Sequence, residues 1–195
     1  MKIVGITGGI ASGKSTVSSY LKDNYKAYIF DADNEAKKLL KLKFVKEKIK
    51  KAFPNLKDLS TMSIANKVFK NSTSQKKINK IIHPIIDDLV LERINDKKDF
   101  YNLFVIDAAL IIESGIFEQH QKGGAKLILV IADEDLRLKR ALSRANLTKQ
   151  TIKDRLQLQM EDKKKIKYSD YVIENNSTKL DLFRKIDQII EKIYE

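Results

Sequence analysis

Short hydrophobic runs alternate along the chain with longer segments of helical spacing. Five runs rich in β-branched and aromatic residues cover positions 2–7, 27–30, 103–106, 127–131 and 171–173. Several of them are continuously apolar rather than alternating, which is typical of strands buried on both faces. Because strands separated by helices form βαβ units, the pattern predicts an α/β fold with a five-stranded parallel sheet between layers of helices.

The segments between the runs predict helices and a single domain. Near the C-terminus, apolar side chains recur every three or four positions, at Leu182, Ile186, Ile189, Ile190 and Ile193. The chain contains 7 Gly and 2 Pro, and no stretch resembles a linker or an internal repeat. We therefore expect one domain that covers residues 1–195.

The spacing of the runs is uneven. About seventy residues separate the second run from the third, which is too many for one crossover helix. Segment 34–98 is therefore predicted to be a mostly helical insertion that stands off the sheet. A second polar helical stretch covers positions 134–167. Both would flank the carboxyl edge of the sheet, where ligands of parallel sheets bind.

Charge and composition narrow the class of protein. The 195-residue, 22.4 kDa chain has 38 Lys and Arg against 26 Asp and Glu, a formal charge of +12. This excess favours an anionic partner (nucleotide, nucleic acid or acidic membrane), and a lysine-rich solvated surface is the alternative. The absence of Cys excludes disulfides and thiolate metal sites. The longest apolar run, 127–132, is too short for a membrane span, and the N-terminus fits no signal peptide. We expect a cytoplasmic protein without membrane contact.

The strongest chemical signal is a phosphate-binding loop at residues 8–15, which matches G-x-x-x-x-G-K-[ST]. It follows the first predicted strand and precedes a helix predicted from Lys14 to about residue 24, the context that the motif requires. Backbone N–H groups would hold phosphates, Lys14 would bridge the β- and γ-phosphates, and Ser15 would bind Mg²⁺. The expected ATP-binding residues of this loop are Gly8, Gly9, Ile10, Ala11, Ser12, Gly13, Lys14, Ser15 and Thr16.

This loop, on a parallel sheet, predicts the three-layer P-loop NTPase fold, which kinases, ATPases and GTPases share. GTPases usually read guanine with Asn-Lys-x-Asp. Here neither Asn66-Lys67 nor Asn79-Lys80 is followed by Asp at the required position. The sequence therefore argues against a GTPase.

Three aspartates follow predicted strands. Asp31 and Asp33 come after the second run, and residues two apart in an extended chain face the same way. Both would therefore lie beside the phosphate loop. One of them can cap the next helix. The other would stand where a kinase needs a base to accept the proton of the attacking hydroxyl. Asp107 follows the third run, where P-loop enzymes place an acid near Mg²⁺; a helix cap is the alternative.

The order of these motifs resembles the dephospho-CoA kinase family. The resemblance is carried by Thr-Gly-Gly-Ile-Ala-Ser-Gly-Lys-Ser-Thr at 7–16 and by Asp31-Ala32-Asp33. Further matches along the chain are His83-Pro84, Leu110, Glu113, Arg140, Arg144, Gln159-Met160, Lys165, Ser169-Asp170 and Val172-Ile173-Glu174-Asn175. The resemblance implies transfer of the γ-phosphoryl group of ATP, with Mg²⁺, to the ribose 3′-hydroxyl of dephospho-CoA, the last step of coenzyme A synthesis.

The resemblance also implies roles for catalytic side chains. Asp33 would bind the acceptor and take the proton of its hydroxyl. Lys14 and Arg140 would neutralise charge on the transferring group. Arg137, Arg140 and Arg144 are spaced by three and four positions and so share one face of a helix, which would form a lid or a solvated basic surface.

The remaining implied roles concern substrate binding. Asn175 would contact the adenine of ATP, and His83 would help to shape the dephospho-CoA pocket. The insertion at about 34–98 would cover the acceptor, and a lid at about 137–167 would cover ATP, because a kinase must exclude water to avoid hydrolysing ATP.

This chain departs from the family's pattern at a few positions. Ala109 stands where the family usually has Pro, Ile112 where it has Phe, and Arg137 where Gln is common. These differences bear on the substrate pocket, since the phosphate loop and Asp33 are intact.

Two rival functions remain at this point. One is another small-molecule P-loop kinase, acting on a nucleoside or nucleotide. The other is a nucleic-acid-associated ATPase that uses the positive charge. Against the second, Lys and Arg are spread along the chain and no basic patch is interleaved with aromatic residues, so we expect no nucleic-acid partner. The sequence leaves the oligomeric state open and favours a monomer.

Overall fold

The computed structural model describes residues 1–68, 72–143, 152 and 159–195. Its parallel strands are β1 Lys2–Gly8, β2 Tyr28–Asp31, β3 Leu103–Asp107, β4 Lys126–Ile131 and β5 Tyr171–Glu174. They form one sheet in the order β2-β3-β1-β4-β5. The chain crosses to one side after β1 and to the other side after β3, so the strand order switches direction at β1. Ligands of parallel sheets bind at such a switch point.

Helices connect these strands. They are α1 Lys14–Tyr25, α2 Ala32–Leu39, α3 Lys43–Ala52, α4 Thr61–Val68, α5 Ser72–Lys97, α6 Ile111–Ser114, α7 Glu118–Lys122, α8 Glu134–Ser143, α9 Asp162–Lys165 and α10 Lys179–Tyr194, with a 3₁₀ turn at Ile166–Tyr168. The Thr178 hydroxyl caps α10 by accepting the Asp181 N–H at 3.2 Å. The five predicted apolar positions of α10 are all buried.

Alternate side chains of the strands build two cores. Leu103 and Val105 belong to a buried cluster with α1 and α10 on one face of the sheet. Phe104 and Ile106 belong to a second cluster with α5 on the other face. The continuously apolar runs are therefore strands covered on both sides, and the predicted three-layer fold is confirmed.

The prediction for segment 34–98 is partly wrong. The segment is mostly helical, as expected, but α5 packs against β3 instead of standing off the sheet. The reason is burial: Ile82, Ile86 and Val90 of α5 are buried in the core cluster that includes Phe104 and Ile106 of β3. Residues 144–151 and 153–158 of the predicted lid at about 137–167, which include Arg144, lie outside the described residues.

None of the helices in the described ranges is both long and apolar enough to cross a membrane.

Candidate active site

The phosphate loop lies between β1 and α1, at the switch point of the sheet. It is closed by a hydrogen bond from the Ser12 N–H to the Gly9 carbonyl at 3.1 Å, and Gly13 is the N-cap residue of α1. The first turn of α1 contains no acidic side chain. The positive end of this helix is therefore left for an external anion, as the loop motif predicts.

A cleft of about 520 Å³ opens above this loop. Residues from Gly8 to Ser15 line one wall, and Asp33 and residues 108–110, which follow β3, line the adjacent part. The opposite wall is largely apolar and comes from α5, with Ile78, Ile82 and Ile86. This volume is in the range of small-molecule sites.

Lys14 lies between two carboxylates in the cleft. Its ammonium forms a short ion pair with Asp107, and its Nζ is 3.8 Å from Oδ2 of Asp33. The second oxygen of Asp107 accepts the Ser18 hydroxyl at 2.6 Å. Helix α6 begins with Leu110 as its N-cap residue, so the alternative that Asp107 caps the following helix is wrong.

Asp31 and Asp33 do not share an extended face, which corrects the geometric argument from sequence. Helix α2 begins at Ala32, so Asp31 is its N-cap and accepts the Asn34 N–H at 2.9 Å. Asp33 lies in the first turn of α2 and lines the cleft, with 45% of its side chain exposed. A substrate hydroxyl can therefore reach the Asp33 carboxylate.

The pKa of Asp33 is raised above its ordinary value. Burial of the carboxyl in the cleft is the main cause, and nearby Asp107 and Asp31 add to it. The charge of Lys14 and a hydrogen bond from the Ala109 N–H, at 3.3 Å, oppose this rise. A carboxylate with a raised pKa is a stronger base than an ordinary aspartate.

A second, smaller pocket of about 160 Å³ lies on the other side of Gly13. It contains Thr16, Arg140 and Asn175. The Asn175 side chain donates to the Ser12 carbonyl at 2.8 Å, and Arg140 donates to the Asn175 carbonyl at 3.1 Å. The structure therefore brings Arg140 and Asn175 together beside the loop, and places Arg140 away from the larger cleft.

Two of the arginines predicted to share a helix face, Arg137 and Arg140, have different contacts. Arg137 is buried, donates to the Ile10 carbonyl at 3.0 Å and pairs with Asp162 at 2.8 Å. Its guanidinium also packs directly over Gly9. Arg137 thus anchors the phosphate loop, and the spacing of arginines in the sequence shows neither this burial nor the partner in α9.

His83 lines the apolar wall of the larger cleft, on α5 next to Pro84. Its side chain is half-buried, and burial lowers its pKa, which keeps the imidazole neutral at pH 7. His83 lies on the same wall as Ile82 and Ile86, and its role in acceptor binding stays a prediction.

Comparison with known proteins identifies the family. The family model described as dephospho-CoA kinase matches residues 2–181. The chain belongs to the dephospho-CoA kinase family. It is 36% identical over 197 residues to the dephospho-CoA kinase of Fusobacterium nucleatum, covering 98% of each chain, and 31% identical to dephospho-CoA kinase CAB5 of Saccharomyces cerevisiae, covering 99% of this chain and 83% of the relative.

A solved structure agrees with this assignment. Dephospho-CoA kinase from Campylobacter jejuni aligns with a TM-score of 0.66 and 26% identity, over 99% of this chain and 98% of that one. The predicted family and kinase activity are thereby confirmed. The protein is a transferase that phosphorylates a hydroxyl group.

Within this dephospho-CoA kinase family member, Gly13 offers a direct test of the loop. Its φ of 108° is in the left-handed region, and an added Cβ would collide with the Asn175 amide. We expect Gly13→Ala to lower the free energy of unfolding by about 1–3 kcal/mol and to weaken ATP binding, because it both strains the backbone and displaces Asn175. Chemical denaturation and ATP titration measure the two effects.

Gly124→Ala is the matched control. Gly124 also has a positive φ, of 91°, but nothing lies within 4 Å of its added Cβ. This variant should carry the backbone strain alone and bind ATP normally. If both variants bind ATP equally well, the contact between Gly13 and Asn175 does not shape the nucleotide site.

Proposed function

We propose that this protein transfers the γ-phosphoryl group of ATP to the ribose 3′-hydroxyl of dephospho-CoA, giving coenzyme A and ADP. The observation that carries the proposal is the juxtaposition of Lys14 and Asp33 across 3.8 Å in one cleft. Phosphoryl transfer needs a cation on the donor phosphates and a base on the acceptor hydroxyl. These two side chains supply both.

The donor side is built by the phosphate loop. Its N–H groups and the N-terminus of α1 would hold the β-phosphate, and Lys14 would leave Asp107 to bridge the β- and γ-phosphates. Thr16, Arg140 and Asn175 line the adjacent pocket, which would receive the α-phosphate and the nucleoside. Arg140 donates to the Asn175 carbonyl, and it would have to give up this hydrogen bond to contact the γ-phosphate.

The acceptor side lies between Asp33 and α5. The ribose 3′-hydroxyl would approach Asp33, and the apolar wall with His83 would receive the rest of dephospho-CoA. The 3′-oxygen forms a bond to the γ-phosphorus while the bond from that phosphorus to the β,γ-bridging oxygen breaks. The hydroxyl proton passes to Asp33, and the electron pair of the broken bond remains on ADP.

The residues present fit a magnesium ion bound together with nucleotide. Ser15 and Asp107 supply a hydroxyl and a carboxylate oxygen at the loop, and Mg²⁺ is commonly held by one or two such groups and by substrate phosphates. No group of three or more His, Cys, Asp or Glu able to hold a metal occurs in the described part of the chain. When bound, Mg²⁺ would neutralise charge on the β- and γ-phosphates.

Removal of divalent cations tests this fit. We expect an excess of chelator to lower product formation by at least about 100-fold, and added Mg²⁺ to restore it, because Ser15 and Asp107 supply no positive charge of their own and the cation they would bind neutralises the phosphates. Replacing Ser15 with Ala should raise the Mg²⁺ concentration needed for half-maximal activity. Full activity in chelator would exclude a metal role for Ser15 and Asp107.

Product analysis tests the proposed function. The protein is incubated with ATP and, separately, dephospho-CoA, adenosine, AMP and shikimate, and each product is analysed by mass spectrometry. We expect a phosphoryl group to be added to dephospho-CoA, and phosphorus NMR to place it on the ribose 3′-oxygen. Phosphorylation of another acceptor with dephospho-CoA left unchanged would refute the proposal.

A further inference from the structure

Lys165 is a charged side chain with no exposed surface. It lies at the end of α9, and its ammonium pairs with Oε1 of Glu113 at 3.0 Å. The same ammonium donates to the Ala109 carbonyl at 3.2 Å. Burying two charges costs about as much as their attraction returns, so such a pair is weak evidence for a role in stability. Its second bond, to a backbone carbonyl near the active site, indicates another role.

Ala109 is held from both of its peptide groups. Its carbonyl accepts the buried Thr7 hydroxyl at 3.2 Å in addition to Lys165. Its N–H donates to Oδ2 of Asp33 at 3.3 Å. The orientation of residue 109 therefore decides whether its N–H points toward the Asp33 carboxylate. A proline at this position, common in the family, has no N–H to donate, so this contact depends on Ala109.

Two donors compete for the Asp33 carboxylate. The Ala109 N–H holds Oδ2 at 3.3 Å, and the Lys14 ammonium is 3.8 Å from the same oxygen. Among the residues that the structure describes, the Ala109 N–H is the one hydrogen-bond donor to the Asp33 carboxylate, so its loss would favour closure of the gap to Lys14. The carboxylate would then move toward the phosphate loop and pair with the lysine that the γ-phosphate needs.

We propose that Lys165 is a positioning residue for Asp33: by fixing the Ala109 carbonyl, it aims the Ala109 N–H at the catalytic carboxylate. The proposal rests on the proposed function, in which Asp33 is the base. Lys165 acts through Ala109 and contacts no substrate. Glu113 supports it by neutralising the buried charge.

The position of Lys165 also links this network to the donor side. Glu113 accepts the Met160 N–H at 2.9 Å, and Asp162, at the start of α9, pairs with Arg137. Arg137 in turn holds the Ile10 carbonyl of the phosphate loop. Helix α9 is thus linked at its first residue, through Arg137, to the phosphate loop, and at its last residue, Lys165, to the Ala109 carbonyl.

The test separates positioning from stability. Lys165→Met alone leaves Glu113 buried and unpaired, so its unfolding temperature should fall. The double variant Lys165→Met/Glu113→Leu removes both charges and should recover most of that loss, short of the hydrogen bond from the Met160 N–H that Glu113 accepts. We expect its kcat to remain roughly 10- to 100-fold below wild type, with the KM for ATP unchanged, because a small displacement of the base is costly. Lys164→Met, an exposed neighbour, is the control and should retain full activity.

A double-mutant cycle identifies the residue through which Lys165 acts. When the double variant is combined with Asp33→Asn, kcat should fall no further than in Asp33→Asn alone, since the group being positioned is absent. Wild-type kcat in the stable double variant, or losses that multiply with that of Asp33→Asn, would overturn the proposal. Failure of the proposed function is separate: it appears as normal turnover in Asp33→Asn itself.

Thr7→Val provides a second measurement if the double variant does not fold. It keeps the shape of the side chain and removes the other donor to the Ala109 carbonyl. We expect a loss of kcat of roughly 2- to 10-fold, the effect of one neutral hydrogen bond, again without a change in the KM for ATP. An unchanged kcat would contradict the role of the Ala109 carbonyl.

Discussion

Asp33→Asn is expected to lower kcat by roughly 10²- to 10⁴-fold while ATP binding persists. Asparagine has the same shape and still accepts the Ala109 N–H, so the backbone around the cleft is preserved. It cannot take a proton from the acceptor hydroxyl. ATP affinity should hold or improve slightly, because one of the two carboxylates beside Lys14 loses its negative charge. Steady-state kinetics with dephospho-CoA and calorimetric ATP titration measure the two quantities.

The same replacement two residues earlier is the matched control. Asp31 caps α2 from outside the cleft, and Asn is as good an N-cap as Asp. Asp31→Asn should therefore fold and turn over at close to the wild-type rate. If Asp33→Asn also retains a near-normal kcat with dephospho-CoA, Asp33 is not the base.

The pH dependence follows from the same group. Asp33 acts in its ionised form, and burial raises its pKa above the ordinary value. As pH falls through that pKa the base is protonated, so the acidic limb of kcat/KM should lie above the ordinary aspartate pKa of about 3.9. The Asp33→Asn variant should lack this limb. A limb that survives in the variant would belong to another group.

Local patterns in the sequence were sufficient for the sheet and the phosphate loop. The runs that became β1 and β3 are apolar because both faces are covered, and Gly13-Lys14-Ser15 begins α1 as its motif requires. Each of these signals is carried by a few consecutive residues of the chain. They are therefore visible without knowledge of long-range contacts.

The support of the site could not be predicted in this way. Lys165 contacts Ala109 from 56 residues away, and Asn175 reaches Ser12 across 163. A lysine in a polar helical stretch has the pattern of a solvated residue, since its burial depends on which segments the fold brings together. For the same reason, the spacing of Arg137 and Arg140 indicated a shared helix face but not two different partners. Asp31 and Asp33 do not face the same way because α2 begins at Ala32, so the chain is helical and not extended between them.

Lys14→Ala is expected to impair nucleotide binding and catalysis together. The ammonium lies between Asp107 and Asp33 in the structure and would exchange these partners for the phosphates of ATP. Its loss removes a charge-assisted contact in the ground state and a larger one in the transition state. We expect ATP affinity to fall roughly 10- to 150-fold and kcat by a further 10²- to 10³-fold.

Lys14→Ala also leaves Asp33 and Asp107 without the positive charge between them, which should change the pH dependence of the reaction. The charge of Lys14 opposes the rise in the Asp33 pKa, so this pKa should increase further in Lys14→Ala. As the pH is lowered, the residual activity of the variant should therefore begin to fall at a higher pH than that of the wild type. Lys22→Ala, an exposed lysine on the same helix, is the control for the lost charge and should bind ATP normally. Normal ATP affinity in Lys14→Ala would mean that the loop does not hold the phosphates. The proposed positions of ATP at the loop and of the acceptor hydroxyl at Asp33 would then both be wrong.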